Sequence, residues 1–274
     1  KFVVAVGNSE DKTREIIQNI APAKIEIVDT VWDENLKEGG AVYAAETDKA
    51  FDAVPDSYDW CFYIQGDEVV HEKYLPVIKS AMAENLENQK VEGLLFGYKH
   101  FYGTFDYVAN SRKWYRNEIR IIRNDKSIRS YRDAQGFRKA GRKLNVVPTG
   151  AKIFHYGWVR HPRYMQEKIN AVKKFYDGIS AADARKKAAE NEFNYSQKYD
   201  SLERFSGTHP KLMHERIKRL NWNVEVDLAK SHLKLKYRVL HKIEQLFGVR
   251  LFEYRNFKTI KKPLPESESG LKLF

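Results

Sequence analysis

The opening stretch, Lys1 to Val6, is a β-branched apolar run that stops at Gly7-Asn8 and predicts a strand. Ser9 is placed to cap a following helix, with Glu10 and Asp11 in its first turn, where carboxylates complement the helix dipole. Ile16, Ile17 and Ile20 give that helix an apolar face, and Pro22 lies past its end. Lys24 to Val28 alternates as a half-buried strand does, and an Ala-rich stretch from Gly39-Gly40 to about Ala53 predicts a second helix. Asp59 to Ile64 reads as a buried strand that ends at Gln65-Gly66-Asp67-Glu68. From Tyr74 to Leu86, the apolar residues Leu75, Ile78, Met82 and Leu86 recur at helical spacing.

Three later strands are expected over Gly93 to Phe101, Glu118 to Arg123 and Ala151 to His155, the last running into Tyr156-Gly157-Trp158. Beyond Pro162 the pattern turns helical: Met165, Ile169 and Val172 form one stripe, and a charged Ala-rich stretch follows from Ala181. The split near Pro162 divides an α/β part, residues 1–160, from a helical, basic part, residues 161–274, whose tail from Pro263 to Gly270 is expected to be disordered. Alternation of strands and helices over the first 70 residues implies a doubly wound, mainly parallel sheet flanked by helices. Ligands of such sheets bind beyond the carboxyl ends of the strands. Both polar clusters, Gly7-Asn8-Ser9-Glu10-Asp11 and Gln65-Gly66-Asp67-Glu68, sit at such ends.

Composition narrows the class. The single cysteine, Cys61, excludes a disulfide framework and a Cys/His zinc spacing, which fits a reducing compartment. No apolar run reaches the 18 residues of a spanning helix, and no signal peptide is visible. The chain opens inside a strand without a methionine, so an upstream segment is expected. Of the net charge of +11, residues 209–274 carry +8, from 15 Lys+Arg against 7 Asp+Glu. A basic region of this kind reads either as a contact for membrane headgroups, nucleic acid or a phosphorylated acceptor, or as a solvated face.

Three constellations carry candidate chemistry. Asp67-Glu68 follows a hydrophobic strand, where hard carboxylate oxygens suit Mg²⁺ or Mn²⁺ bridging a diphosphate, or simply form an acidic turn. His155 ends a late strand; it is either a hydrogen-bonded structural residue or a completing ligand for the same cation. Asp133 lies in Ser130-Tyr131-Arg132-Asp133-Ala134-Gln135-Gly136-Phe137-Arg138, where it either accepts a proton from an attacking hydroxyl or pairs with Arg132 or Arg138. Asp106 and Glu118 are further candidates for the base.

Taken together, these residues resemble a known family. Val3 to Thr13 resembles the strand and Gly-Ser-x-Asp-x-Thr turn of family-2 glycosyltransferases, and Asp59 to Glu68 resembles the Trp-strand-Asp-x-Asp-Glu segment of the same enzymes. Ile119 to Asn124, Asp133 and His155-Tyr156-Gly157 resemble their later part, so the likeness covers about residues 1–160. The resemblance implies a GT-A fold, transfer of a sugar from a nucleoside diphosphate donor to an acceptor hydroxyl with inversion, and a role in surface-glycan synthesis. It makes Asp67 the metal-contacting acid and Asp133 the best match to the acceptor-side base region, with donor contacts near Gly7, Asn8 and Ser9; Gln65 and Glu68 beside Asp67 are read as further donor contacts, and His155, by its position alone, as the second metal ligand. The first acid of the Asp-x-Asp motif is Gln65 here, and the first strand of the family would lie upstream of Lys1. Expected partners are a nucleotide sugar, a glycan or lipid-linked acceptor and an anionic membrane surface, at the inner face of the cell membrane in the cytoplasm. Two other readings are a nucleic-acid-binding module, suited by pI ≈ 9.4 with 16 Tyr and 15 Phe, and a nucleotidyltransferase. The aromatic residues fall in apparent core strands and do not interleave with the basic stretch, so nucleic acid is not expected as a partner.

Overall fold

The computed structural model describes residues 1–260 except 10, 21, 34, 37, 38, 174, 175, 177–191 and 229–231. The role expected of Glu10, the helix expected from Ala181 and the tail from Pro263 to Gly270 therefore lie outside the described residues.

Strands β1 (Phe2–Val6) and β2 (Ile25–Asp29) flank helix α1 (Thr13–Ile20), and α2 (Ala41–Asp52) leads into β3 (Trp60–Phe62). Next come β4 (Glu68–Val70), α3 (Leu75–Glu84), β5 (Gly93–Tyr102), β6 (Tyr107–Ala109) and β7 (Asn117–Arg123). A small meander of β8 (Ile128–Tyr131), β9 (Gly136–Lys139) and β10 (Arg142–Lys143) precedes the long β11 (Asn145–Trp158). Beyond it lie α4 (Pro162–Lys173), β12 (Leu202–Arg204), α5 (His214–Lys218), α6 (Leu235–Phe247) and β13 (Lys258–Thr259). Among the described residues no helix is long and apolar enough to cross a membrane.

The expected doubly wound, mainly parallel sheet of GT-A type is not what forms. Among the described residues only β1–β2, β5–β11 and β11–β13 pair in parallel; β3–β7, β5–β7, β4–β11, β5–β6, β6–β12, β8–β9 and β9–β10 are antiparallel. The first strand–helix–strand unit does give a parallel pair, but β1 and β2 stand as a sheet of their own. From β5 to β11 the strands are joined by short links instead of helical crossovers, and parallel neighbours need a connection of a dozen or more residues. Local order in the first 70 residues carried no information about that change. The cap of α1 also differs: Asp11 Oδ1, not Ser9, accepts from the backbone N–H of Thr13 at 2.9 Å, and Ile16 and Ile20 are exposed.

Strands β5 and β11 form the spine; β5 has no exposed residue, whereas β11 exposes Pro148, Gly150 and Lys152 along its middle. Leu94, Phe96, Ile121 and Ile153 pack with Ile78 of α3 on one face; Leu95, Ile119, Ile122 and Val146 pack with Phe51 of α2 and Phe137 on the other. Farther along, Tyr102, Met165, Tyr195 and Tyr199 form an aromatic cluster that seats α4 against the sheet.

One connection governs the site. Strand β3 pairs only with β7, and β4 pairs only with β11, while β7, β5 and β11 run side by side between them. Residues 63–67 carry the chain from one edge of this stretch to the other. Each extended residue advances only about 3.3–3.6 Å while strands lie about 4.8 Å apart, so this crossing has little slack. Arg120 of β7 holds both its ends. Its carbonyl accepts from the Tyr63 N–H at 2.7 Å, and its guanidinium grips Glu68 through Nε (3.0 Å) and Nη2 (2.7 Å). Both side chains are inside, Arg120 with 1% and Glu68 with 0% exposure.

Replacing Arg120 by Met leaves the Glu68 carboxylate buried and unpaired, which costs about 3–5 kcal/mol of folding stability. Glu68→Gln in the same chain restores part of it. Urea unfolding of the wild type and both variants measures this; a single-variant loss below about 1 kcal/mol would mean that other contacts hold the crossing.

Candidate active site at the crossing

The turn Gln65-Gly66-Asp67-Glu68 closes with a Glu68 N–H to Gln65 carbonyl bond at 3.0 Å, and the Glu68 carboxylate also accepts from the Gln65 N–H at 3.2 Å and the Tyr98 hydroxyl at 2.8 Å. Glu68, expected among the donor contacts, is thus enclosed, and its oxygens are taken up in holding the turn. Gln65 donates through Nε2 to the Tyr63 hydroxyl at 2.9 Å. Asp67 is left at the tip. Its carbonyl accepts from the Tyr156 N–H at 2.8 Å, which fixes the turn to β11.

Antiparallel pairing of β4 with β11 sets Glu68 opposite His155, and parallel pairing of β11 with β5 sets His155 opposite His100. The β5–β11 ladder is irregular immediately after His155, between His155 and Trp158, a disruption typical of functional rims. Asp67 Oδ1 lies 3.7 Å from His155 Nε2, and Asp67 Oδ2 accepts from the Lys168 ammonium at 3.1 Å. Lys168 reaches there from α4 and also donates to the Gly157 carbonyl at 3.0 Å. Burial pushes the Asp67 carboxyl up, but His155 and Lys168 outweigh it and hold its pKa well below the usual carboxylate range.

The state of His155 follows from its neighbours. His100 Nε2 faces the Tyr115 carbonyl at 2.9 Å, and a carbonyl only accepts, so that nitrogen carries the proton. Burial, with His155 adding to it, pushes the His100 pKa down to about 3 and keeps the ring neutral. His100 Nδ1 is then the acceptor for the His155 Nδ1 proton at 3.1 Å. In the neutral tautomer with that proton on Nδ1, His155 turns the Nε2 lone pair toward Asp67 and the two can share a cation in the space between them; with a second proton on Nε2 the ring pairs with the Asp67 carboxylate directly. Gly157 keeps that space clear, since a Cβ there would stand 2.5 Å from Asp67 Oδ2 and 2.6 Å from His155 Nε2.

These residues fit a hard divalent cation that takes two protein ligands and completes its shell with water and phosphate oxygens. Among the described residues no group of three or more His, Cys, Asp or Glu is placed to hold a metal alone. A substrate diphosphate would be part of the site.

Asp133 is held differently. It sits between Arg132 (φ 55°) and Ala134 (φ 59°), two left-handed non-glycine residues, a strain that clusters at functional sites. Arg132 lies over the Tyr131 ring, and Arg138 bonds the Phe137 and Asn256 carbonyls, so the expected alternative of a salt bridge to either arginine does not form. Instead Asp133 Oδ2 accepts from the Tyr176 hydroxyl at 2.8 Å, and Oδ1 is buried without a donor among the described residues. Glu118 Oε2 is likewise without one. Burial pushes the Glu118 pKa up to about 8 against the pull of Arg120, with Asp133 and Glu68 adding to the rise. Asp106 lies elsewhere, in the turn after β5, with its carboxylate on Thr104.

The Gly7 turn is brought in through one face of α2. Gly7 packs on Trp32, whose Nε1 would stand 2.6 Å from a Cβ at that position, while Asn8 and Ser9 are exposed. Trp32 meets Tyr43 edge-on at 5.5 Å, and Tyr43 lies 6.4 Å from Tyr176, the partner of Asp133. Thr47, one turn on, bonds the Tyr43 carbonyl at 2.8 Å and the Tyr63 hydroxyl at 3.4 Å, next to Gln65. Gly40, at the head of the same face, is left-handed, and a Cβ there would be 2.7 Å from Asp133 Cβ. The structure therefore joins Asp67 with His155 directly, and links the Gly7 turn and Asp133 to that pair through side chains of α2 and the crossing. His100, Lys168, Trp32, Tyr43 and Tyr176 were not singled out from the sequence; the fold alone makes them neighbours.

A scan against protein-family models finds no match for this chain, and neither does a search of curated proteins.

Glu118 gives the site a pH signature. Below the ordinary carboxyl value of 4.5 it is protonated in both folded and unfolded chains; between 4.5 and about 8 only the folded chain keeps the proton. Its contribution to stability is therefore present below that window, falls as pH rises through it and levels off above it, a loss on the order of a few kcal/mol. Glu118→Gln removes this slope. Denaturant unfolding at about pH 5 and about pH 9 measures it, and an unchanged slope in the variant would place the titrating group elsewhere.

Proposed function

We propose that this protein is a glycosyltransferase that moves a sugar from a nucleoside diphosphate donor to an acceptor hydroxyl. The observation that carries the reading is the approach of Asp67 to His155 Nε2, in a space that Gly157 keeps open. That geometry suits Mn²⁺ or Mg²⁺ bridging a diphosphate, a cation that when bound neutralises charge on the leaving group. Gln65 does not remove this capacity, since His155 supplies the second ligand. Lys168 fixes the Asp67 carboxylate and adds a positive charge beside the departing phosphates. Trp32 and Tyr43, behind the Gly7-Asn8-Ser9 turn, provide an aromatic wall against which a nucleobase can lie.

An alcohol is a poor nucleophile at neutral pH, and a direct displacement gains from a carboxylate on the acceptor side. Asp133 is the candidate for that role: Tyr176 positions one oxygen, the other is enclosed without a donor among the described residues, and the strained turn that carries both would have to open it to the acceptor hydroxyl. The reading places the reaction in the cytoplasm at the inner membrane face, where a lipid-linked or glycan acceptor of surface-glycan synthesis is presented.

Incubation with a panel of nucleotide sugars, Mn²⁺ and glycan acceptors tests the reading. Release of nucleoside diphosphate is expected; release of pyrophosphate from a nucleoside triphosphate would mean nucleotidyl transfer, and no release from any donor would remove the proposal. Asp133→Asn should lower kcat by ~10²–10⁴ with nucleotide affinity and melting temperature little changed. A wild-type kcat in that variant would reassign the base.

A further inference from the structure

Helix α6 is fastened on one side and bare on the other. Its inward carboxylate, Glu244, meets Arg112 and Arg250 at 3.3 Å and Arg116 at 3.1 Å, and Arg250 in turn bonds the carbonyls of Ser111 and Trp114 at 3.0 Å. Those contacts lock the helix onto the segment between β6 and β7. No residue of the helix is fully buried. Opposite Glu244, Leu235 (75% exposed), Val239 (52%) and Leu246 (77%) fall within roughly 40° of arc at the helical 100° per residue. Just past the helix, Val249 and Phe252, the latter 89% exposed, add further exposed apolar side chains. Phe252 has φ 57°, a conformation costly for a bulky side chain, and it holds the ring outward instead of relaxing toward the body.

Isolated apolar side chains on a surface need no explanation, but a contiguous ridge does. Its surroundings say what covers it. Arg238 and Lys242 flank the stripe on one side, Lys236 on the other, and Lys234 precedes it; none of the four enters an ion pair among the described residues. The one acid of the helix, Glu244, points inward. A second copy of the chain would bring these cations against their own kind. An anionic bilayer satisfies both features, because apolar side chains enter the boundary between headgroups and acyl chains while lysine and arginine meet lipid phosphates.

We propose that the Leu235–Phe247 helix and the Val249–Phe252 turn dock this protein onto an anionic lipid surface, with Leu235, Val239, Leu246 and Phe252 inserted. This deepens the membrane part of the reading above and is independent of its chemistry, because binding is measured without any donor sugar. Co-sedimentation of the full chain with phosphatidylcholine vesicles, and with the same vesicles containing phosphatidylglycerol, tests it. The wild type should bind the anionic vesicles more tightly, and Leu246→Ser with Phe252→Ser should weaken that binding by ~10-fold or more. Lys236→Glu with Lys242→Glu should abolish the preference for anionic lipid. Phe252→Trp, in an otherwise unaltered chain, should add a fluorescence signal that shifts to the blue on vesicles, a readout that does not rely on the serine variant folding. The proposal is overturned if the wild type binds neither vesicle, if it binds both alike, if the added tryptophan does not respond, or if the folded serine variant binds as the wild type does. It is also overturned if light scattering shows a dimer that the serine variant dissolves, since a second copy would then cover the ridge. Loss of vesicle binding with nucleoside diphosphate release intact separates failure of the anchor from failure of the sugar-transfer reading.

Discussion

The buried ion pair of Glu68 and Arg120 is the constraint on which the site depends. Residues 63–67 must carry the chain across three strands, and one residue of the middle of the sheet, Arg120, fixes where that crossing begins and ends. Removing two charges from water is expensive, and their attraction repays the cost only when the geometry is good and the remaining hydrogen-bonding capacity is filled. Here Tyr98 and the Gln65 N–H occupy the carboxylate, and the Ile119 carbonyl takes the remaining Arg120 nitrogen, Nη1. The Tyr63 and Tyr98 rings also lie about the guanidinium at 5.1 and 5.2 Å. Such a pair contributes less to net stability than to the choice of one arrangement: a shift of the crossing by one residue would set the shorter Asp67, or Val69 with no charge at all, where Glu68 now makes its two-point contact with Arg120.

That choice sets the chemistry. With Glu68 directed inward, Asp67 is presented at the tip beside His155, and the register of β4, β11 and β5 brings His100 behind the imidazole. His100 acts at one remove, as a positioning residue whose Nδ1 faces His155 Nδ1 and so leaves His155 Nε2 turned toward Asp67. Lys168 completes the local balance by compensating one Asp67 oxygen and leaving the other to face Nε2. The same logic of an inner group orienting an outer one recurs at Asp133, where Tyr176 takes one oxygen and the strained turn leaves the second without a donor.

Much of the local structure was legible in the chain. The run Asp59 to Ile64 followed by Gln-Gly-Asp-Glu does give a strand and a polar turn, but the strand is only Trp60–Phe62 and is not buried as expected, with Phe62 and Ile64 exposed; the stripe of Met165 and Ile169 does seat α4. Asp67 and His155, singled out 88 positions apart, do meet. The global arrangement was not legible. Strand–helix alternation fixes direction only while crossovers persist, and from β5 to β11 the chain turns to antiparallel neighbours through short links whose pairing depends on distant residues. Nor could adjacency in sequence distinguish two acids with opposite fates: Asp67 and Glu68 differ because one faces the cleft and the other faces Arg120, which is 52 residues away. His100 gave no signal at all, since a lone histidine in an apolar strand reads as core until its partner across the sheet is known.

The central claim is that Asp67 and His155 together hold a divalent cation with a nucleoside diphosphate. Titrating Mn²⁺ into the protein in the presence of a nucleoside diphosphate, and following free Mn²⁺ by electron paramagnetic resonance, measures it directly. The account predicts one bound Mn²⁺ per chain in the wild type, lost in Asp67→Asn and in His155→Ala, and weakened by His100→Phe, each variant folded with an ordinary melting transition. Mn²⁺ binding that is unaltered in both ligand variants, or absent from the wild type at any diphosphate concentration, would contradict it.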